Sequence, residues 1–175
     1  AYYGYGQMGV DPTGAPVDVI IAVWPWDAYL GPEALENGIK VGVSSWRQRS
    51  FNAIPPAVKS SASYMNSILA KLEAKSHGYA EAVMLNESGH VCEGTGENLF
   101  VVRNGILSTP PLSDGLLEGV TRDTILTIAC DLDIPAVEES LTRSDLYIAD
   151  EVFMTGSAAE LTPVSSVDDR FIGKR

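Results

Sequence analysis

Apolar residues along the chain follow two spacings, one typical of strands and one typical of helices. Short, largely apolar runs suit buried strands, and they predict strands over 17–24, 39–46, 79–85, 99–102, 134–138 and 151–155. Apolar spacings of three and four residues predict helices over 60–77 and 121–132, with a shorter helical stretch over 144–148. We therefore expect an α/β (α+β) fold with a mixed β core and flanking helices, in which the first two strands pair.

The same spacings predict which faces of the two longer helices turn inward. The inward face of the first helix is expected to consist of Tyr64, Met65, Ile68, Leu69 and Leu72. Lys71 and Glu73 fall outside this face, and Gly78 is expected to end the helix. The residues expected to point inward from the second helix are Ile125, Leu126, Ile128 and Ala129.

Two segments have the composition of loops. Residues 1–16 are rich in Tyr, Gly and Pro without a sustained period, which predicts a linker. The pair Pro55-Pro56 can neither continue a strand ladder nor lie inside a helix, so 47–56 is expected to be a loop. Residues 17–175 then form one domain, since a chain of 175 residues can bury a sizeable single core.

Composition excludes several classes of function. A net charge of −11 argues against a nucleic-acid or anionic-membrane surface as partner. Two cysteines are too few for a disulfide framework, and no apolar run approaches the length of a membrane span, so we expect a cytoplasmic protein. His77 and His90 are isolated, so the sequence contains no metal-binding spacing.

The stretch Cys92–Phe100 carries the strongest functional pattern. It places two acids and two glycines at the start of an apolar strand. Glycine lets the backbone approach a ligand closely, and a poorly solvated carboxylate can hold a charge on a bound ring. Taken alone, the pattern is equally typical of a hairpin turn. Two further segments follow it, Leu107-Ser108-Thr109 and Leu117-Glu118-Gly119-Val120-Thr121-Arg122.

Together these segments resemble the signature of the class-IV (fold-type IV) pyridoxal-phosphate aminotransferases. That signature has an acid, Asn-aliphatic-aromatic, apolar-x-Thr and Gly-aliphatic-x-basic positions, and all are filled between Glu93 and Arg122. Within the class, Gly-Glu-Asn-Leu-Phe resembles the branched-chain amino-acid aminotransferases. D-amino-acid aminotransferases and aminodeoxychorismate lyases more often have serine or threonine at the position of Glu97. The resemblance also covers 19–31, 54–78 and 149–164.

The resemblance implies pyridoxal 5'-phosphate as cofactor and Lys59 as the Schiff-base lysine and proton shuttle. From its neighbours alone, Lys59 is either a partly desolvated lysine with a lowered pKa or a structural lysine with its stem on apolar surface. The family pattern places Tyr64 on the phenolic oxygen of the cofactor and Glu93 on its pyridine nitrogen. The lysines expected in polar or solvent-facing surroundings are Lys40, Lys71, Lys75 and Lys174.

The cofactor phosphate has its own candidate residues. Val120 and Thr121 open a helix, so their backbone N–H groups and the Thr121 hydroxyl can form an anion site, although Thr121 can equally be a plain N-cap. The resemblance adds Ser157 as a second phosphate contact. Glu97 is expected to order the Gly94–Gly96 loop, and a role towards the substrate stays open.

The resemblance also implies a substrate site. The backbone N–H groups of Ala158 and Ala159 would bind the substrate carboxylate, and Val10, Trp26 and Tyr29 would contact its side chain. The implied reaction is transamination between Leu, Ile or Val and 2-oxoglutarate. The small-molecule partners would thus be an amino acid and a 2-oxo acid.

The family pattern is longer than this chain. Its smaller N-terminal domain and its C-terminal helical segment have no counterpart here, so 17–175 is expected to be the larger, cofactor-binding domain and 1–16 the interdomain linker. An arginine for the phosphate and part of the substrate surface would lie outside it. A homodimer or higher homo-oligomer is implied. The alternatives are a D-amino-acid aminotransferase, an aminodeoxychorismate lyase, or a non-catalytic fragment of the fold.

Overall fold

The computed structural model describes residues 1–26 and 29–173. The lysine at position 174, for which solvent-facing surroundings are expected, lies outside the described residues. The helices are α1 (Pro32–Asn37), α2 (Tyr64–Ser76), α3 (Val120–Asp131) and α4 (Arg143–Tyr147), with 3-10 turns at Ser61–Ser63 and Leu112–Asp114. The strands are β1 (Tyr2–Tyr3), β2 (Val17–Asp18), β3 (Ile39–Val43), β4 (Glu81–Leu85), β5 (Val91–Glu93), β6 (Asn98–Arg103), β7 (Ile106–Thr109), β8 (Ala136–Glu138), β9 (Glu151–Gly156), β10 (Glu160–Val167) and β11 (Arg170–Phe171).

Nine of the described strands form one mixed sheet in the order β5-β4-β3-β10-β9-β6-β7-β8, with β11 added to β10. β3 runs parallel to both of its neighbours, and β7 runs parallel to β8. The remaining pairs in the sheet are antiparallel. The expected mixed β core is therefore confirmed.

Both faces of the sheet are covered, as the alternation along β4 and β6 demonstrates. In β4, Val83 packs into one core cluster with residues of α1 and α4, while Ala82 faces Ala70 and Ala74 of α2. In β6, Leu99 belongs to the first cluster, whereas Phe100 packs with residues of α3. Successive side chains of a strand point to opposite faces, so α2 and α3 cover one face of the sheet and the larger core covers the other.

The strand predicted over 17–24 is wrong beyond Val17–Asp18, which pairs with β1. The apolar residues that follow are between 67% and 91% exposed, namely Val19, Ile20, Ile21 and Val23. The predicted pairing with 39–46 is also wrong, because β3 has β10 on one side and β4 on the other. An apolar run becomes a strand only where a partner offers free backbone hydrogen-bonding groups.

The predicted inward face of α2 is also wrong. Met65, Ile68 and Leu72 are more than half exposed, and the buried residues are Ser67, Ala70 and Ala74. These small side chains let the helix lie close to β4. They are three and four residues apart, like the predicted residues, but they lie on a different face of the helix. The second helix follows its prediction more closely, since Ile125 and Ala129 are buried although Ile128 is 49% exposed.

Other elements agree with the prediction or were absent from it. Strands at 39–43, 81–85, 98–103 and 151–156 lie within or beside their predicted ranges, and the backbone of Gly78 takes a φ of 82° just after α2. The helix α1 and the strands β1, β5, β7, β10 and β11 were not predicted, and β1 lies within the segment expected to be a linker. Within the described ranges, no helix combines the length and the hydropathy that crossing a membrane requires.

The packing of α2 predicts unequal effects for substitutions at two nearby positions. Ala70→Leu is expected to lower the free energy of unfolding by about 1–3 kcal/mol, because the larger side chain must be forced against β4. Leu72→Ala, on the exposed face, is expected to change it by less than about 0.5 kcal/mol. Urea unfolding followed by circular dichroism measures both values. If the face with the large apolar residues packed on the sheet, the order of the two effects would be reversed.

Candidate active site

A cavity of about 500 Å³ lies between the ends of β5 and β9, the start of β6 and the N-termini of α2 and α3. Its walls contain eight of the residues predicted for the site: Trp26, Lys59, Tyr64, Glu93, Val120, Thr121, Ser157 and Ala158. These residues come from distant parts of the chain and were assigned different tasks in cofactor and substrate binding. The fold thus brings most of the predicted site together in one place.

Three predicted site residues lie outside the walls of this cavity. Val10 is fully exposed in the segment before β2. The ring of Tyr29 meets that of Trp26 edge-on, with 6.3 Å between centroids, and burial followed by the charge of Glu97 raises the pKa of Tyr29. Ala159 is buried, one residue beyond the wall at Ala158. The substrate roles of these three residues stay predictions.

Glu93 is the last residue of β5, and its carboxyl group is held by two donors. The side chain of Gln48 donates Nε2–H to Oε1 at 2.5 Å, and the backbone N–H of Leu117 donates to Oε2 at 3.0 Å. Burial raises the pKa of Glu93 to about 7, although these bonds and the charges of Arg49 and Lys59 act in the opposite direction. A neighbouring cation in the cavity would favour the carboxylate further.

Lys59 lies at the cavity in a more open setting than the sequence predicted. The residue is exposed, which does not fit a partly desolvated lysine, one of the two interpretations that its neighbours in sequence allow. It belongs to a tight turn in which the N–H of Ser60 donates to the carbonyl of Val58 at 2.8 Å. Most residues of the loop over 53–59 are exposed, so Lys59 borders both the solvent and the cavity.

The N-terminus of α3 offers backbone donors to the cavity. Gly119 is its N-cap and forms no side-chain capping bond, so the first N–H groups of the helix have no intrahelical acceptor. A side chain at position 119 would displace Asn98, because a Cβ there would lie 2.0 Å from Oδ1 of Asn98. Asn98 in turn donates Nδ2–H to the carbonyl of Leu117 at 2.9 Å. Ser157 lies in the same cavity after β9, so an anion there would meet a hydroxyl as well as the helix terminus.

A second group of charged residues adjoins the cavity, and one of them, Glu97, also lines it. Glu81 is fully buried, forms an ion pair with Lys71 and accepts the hydroxyl of Thr95 at 2.7 Å. The surroundings of Lys71 are polar, as expected, because its amine also donates to the carbonyl of Ala80, and its side chain is 25% exposed. Glu97 accepts the N–H of Gly96 at 3.1 Å, the contact expected for a residue that orders this loop. Burial, followed by the charge of Glu81, raises the pKa of Glu97 to about 7.

Sequence reasoning missed several residues of the site. Gln48 and Arg49 lie in the segment predicted as a polar loop, yet Gln48 is 2% exposed and bonds to Glu93. Neither residue belongs to the motif, so the sequence carried no signal for them. Asn98 was part of the motif but had no assigned role. A second cavity, of about 450 Å³, lies between α2 and the Asp168–Asp169 turn and contains none of the predicted site residues.

Residues 3–167 match the family described as amino-transferase class IV. The chain belongs to this family. The signature between Glu93 and Arg122 is therefore that of a genuine member, and its residues Glu93, Asn98 and 117–121 line the cavity. Among the described residues, no cluster of three or more His, Cys, Asp or Glu side chains is arranged to hold a metal ion.

The family members that this chain resembles are branched-chain-amino-acid aminotransferases. It is 51% identical to the enzyme of Escherichia coli (strain K12) over 174 residues, which is 99% of this chain and 56% of that protein. Identity to the enzyme of Pseudomonas aeruginosa is 48% over 172 residues, with 98% and 56% covered. The chain thus spans little more than half the length of the curated relatives it matches.

Solved structures of the family share the fold. The crystal structure of the Escherichia coli enzyme superposes with a TM-score of 0.94 at 51% identity, covering 96% of this chain and 56% of that one. A branched-chain amino acid aminotransferase from Thermobaculum terrenum, solved in its pyridoxal-phosphate form, gives 0.75 at 41% identity, with 77% and 44% covered. The expected fold-type IV architecture is confirmed.

The buried ion pair predicts a large effect at Lys71. Lys71→Met is expected to lower the free energy of unfolding by about 3 kcal/mol, because it leaves Glu81 buried without its cation. Lys75→Met, at an exposed position of the same helix, is the matched control and should cost less than about 0.5 kcal/mol. Urea unfolding of both variants tests this. Equal effects at the two positions would contradict the role of Lys71 as the cation that neutralises Glu81.

The raised pKa of Glu93 predicts a pH dependence of stability. The folded state holds a proton on Glu93 up to about pH 7, whereas an ordinary glutamate loses it near pH 4.5. The native state therefore loses stability relative to the unfolded state as the pH rises through this window, by an amount on the order of 3 kcal/mol. Glu93→Gln should remove the part of this pH dependence that Glu93 causes.

The measurement compares the free energy of unfolding between pH 4.5 and pH 7.5 in the original protein and in Glu93→Gln. Because Glu97 also has a raised pKa, only the difference between the two proteins isolates Glu93. Glu87→Gln, at an exposed turn residue, is the control. If the free energy of unfolding changes with pH by the same amount in Glu93→Gln as in the original protein, the prediction is contradicted.

Proposed function

We propose that this protein is an aminotransferase that exchanges an amino group between a branched-chain L-amino acid (Leu, Ile or Val) and 2-oxoglutarate, with pyridoxal 5'-phosphate as cofactor. The observation that carries the proposal is the meeting of Lys59, Glu93 and the uncapped N-terminus of α3 in one cavity. Further support comes from relatives at about 50% identity that are named for this activity, and from a solved member of the family in its pyridoxal-phosphate form.

The donor set of the cavity fits this cofactor. A pyridine nitrogen needs an acid, and Glu93 supplies a buried carboxyl group. A phosphate needs N–H and hydroxyl donors, and the N-terminus of α3 with Ser157 supplies them. Thr155 also lines the cavity, and its buried hydroxyl has no hydrogen-bond partner among the described residues. A polar ligand would satisfy that hydroxyl.

Each residue of the cavity then has a definite task. Pyridoxal phosphate, when bound, supplies the electron sink that transamination requires. Lys59 would hold the cofactor covalently and move a proton at the substrate α-carbon. Tyr64 would donate a hydrogen bond to the phenolic oxygen. The residues that would bind the phosphate are Val120, Thr121 and Ser157.

Glu93 would keep the ring nitrogen protonated. Burial raises the pKa of its carboxyl group to about 7, although the charges of Arg49 and Lys59 act in the opposite direction. A protonated nitrogen placed beside it adds an opposite charge in a poorly solvated site, which lowers the pKa of Glu93 and favours the ion pair. The acid and the ring nitrogen would therefore stabilise each other's charged forms.

Substrate binding and assembly complete the proposal. The N–H groups of Ala158 and Ala159 would bind the substrate carboxylate, and Trp26, Tyr29 and Val10 would contact its side chain. The residues 17–175 would form the cofactor-binding domain of a longer enzyme, and 1–16 its interdomain linker. A homodimer or higher homo-oligomer, a role in amino-acid biosynthesis and a cytoplasmic location stay predictions.

Borohydride reduction in the presence of pyridoxal phosphate, followed by peptide mass mapping, tests the proposal. The expected result is a pyridoxyl adduct on Lys59, which lines the cavity, and none on Lys71, whose amine is paired with Glu81. Lys59→Arg keeps the charge but cannot form the adduct, and it serves as the control. An adduct spread over Lys71 and Lys75, or no adduct on folded protein, would remove the aminotransferase proposal.

The substrate is tested separately, with the protein extended by the N-terminal domain that the family carries. L-Leu should be converted in preference to D-Ala and to aminodeoxychorismate. Preference for D-Ala or for the chorismate derivative would favour another member of the class. Cofactor binding without turnover of any of the three would favour a non-catalytic form of the fold.

A further inference from the structure

The carboxyl group of Glu93 is held by a neutral side chain that is itself almost completely buried. Gln48 is 2% exposed, and its Nε2 lies 2.5 Å from Oε1 of Glu93. The backbone N–H of Gln48 donates to the carbonyl of Leu85 at 2.8 Å, which ties this residue to the end of β4. The side chain therefore starts from a fixed point of the sheet and ends on the proposed partner of the ring nitrogen.

The orientation of the Gln48 amide is set by Arg49. Oε1 of Gln48 accepts two hydrogen bonds from Arg49, one from the backbone N–H and one from Nη1, each at 3.2 Å. With its oxygen committed in this way, the amide can present only its N–H₂ group to Glu93. Loss of the Arg49 contacts would leave the amide free to turn its oxygen towards the carboxylate.

Arg49 also reaches the loop that carries Lys59. Nη1 of Arg49 donates to the carbonyl of Ser63 at 3.1 Å. Oγ of Ser63 donates to the carbonyl of Val58 at 3.1 Å and lies 3.1 Å from Oγ of Ser60. Val58 and Ser60 are the two neighbours of Lys59, so the bonded chain runs from Glu93 to both sides of this lysine.

We propose that Gln48 and Arg49 are positioning residues that couple the carboxylate of Glu93 to the loop carrying Lys59. The inference rests on the proposed function, in which Glu93 and Lys59 hold opposite sides of one cofactor. A displacement of the Lys59 loop would move the carbonyl of Ser63, then Arg49, and then the amide that donates to Glu93. Neither Gln48 nor Arg49 needs to touch the substrate for this coupling.

Hydrogen exchange of the unliganded protein tests the coupling. Gln48→Met keeps the length of the side chain and removes its polar groups, and it should accelerate exchange of the Ser60 and Ser63 amides about tenfold. Gln7→Met, in the exposed segment before β2, is the matched control and should leave both rates unchanged. Amides of α3 report on general loosening and should not change in either variant.

A double-mutant cycle separates coupling from two independent losses. Arg49→Met should accelerate the same amides, and adding Gln48→Met to it should have little further effect, because the chain is already broken. Arg49→Lys, which keeps the charge, should recover part of the protection. If Gln48→Met loosens the whole fold, the exchange experiment uses Gln48→Asn in place of Gln48→Met. The shorter amide stays polar but does not reach Glu93.

The infrared carboxyl band of Glu93, identified by its loss in Glu93→Gln, gives the second readout. Loss of the Gln48 donor should raise the pH at which this band is half titrated. The charges of Arg49, Lys59 and Glu97 also influence the pKa of Glu93. Unchanged exchange at Ser60 and Ser63, or additive effects in the cycle, would overturn the proposal. These results do not depend on a cofactor, so they are independent of whether Lys59 forms the pyridoxyl adduct.

Discussion

The desolvation of three carboxyl groups governs how this end of the molecule is built. Glu81, Glu93 and Glu97 are withdrawn from water where β4, β5 and β6 meet the cavity, and a buried charge is tolerated only with donors or an opposite charge beside it. That requirement turns Lys71 towards the sheet, although a lysine on a helix would otherwise face solvent. It also accounts for the backbone N–H groups directed at Glu93 and Glu97. Satisfying these acids fixes the side chains of Gln48 and Lys71 beside the cavity.

Much of the fold and of the candidate site could be predicted because these parts depend on residues that are near one another in the sequence. The strands β6 and β9 follow apolar runs, and α3 follows a helical spacing that begins directly after Gly119. The motif lies within 30 residues of the chain, so Glu93, Asn98 and 117–121 reach the cavity once β5, β6 and α3 are in place. Trp26, Lys59 and Ser157 were placed there by family resemblance, since their own neighbours left more than one interpretation open.

What could not be predicted depends on contacts between distant parts of the chain. The run over 17–24 has the composition of a buried strand, but both edges of β3 are occupied by strands that lie far away in sequence. The inward face of α2 is set by its partners, since small residues allow close approach to β4 and Lys71 must reach Glu81. Gln48 lies in a loop with no motif, and only the folded sheet brings it to Glu93.

The helix α2 connects the buried carboxyl group of Glu81 to the cavity. Tyr64 is its first residue and lines the cavity, whereas Lys71, about two turns further on, is fixed to Glu81. The ion pair of Lys71 therefore fixes the rotation of the helix about its axis, and that rotation sets the direction of the Tyr64 side chain. An extra residue between these two positions would turn the Tyr64 side chain by about 100° while the ion pair stayed in place. A change in the length of this segment would therefore misplace Tyr64, whereas a change of its exposed side chains would not.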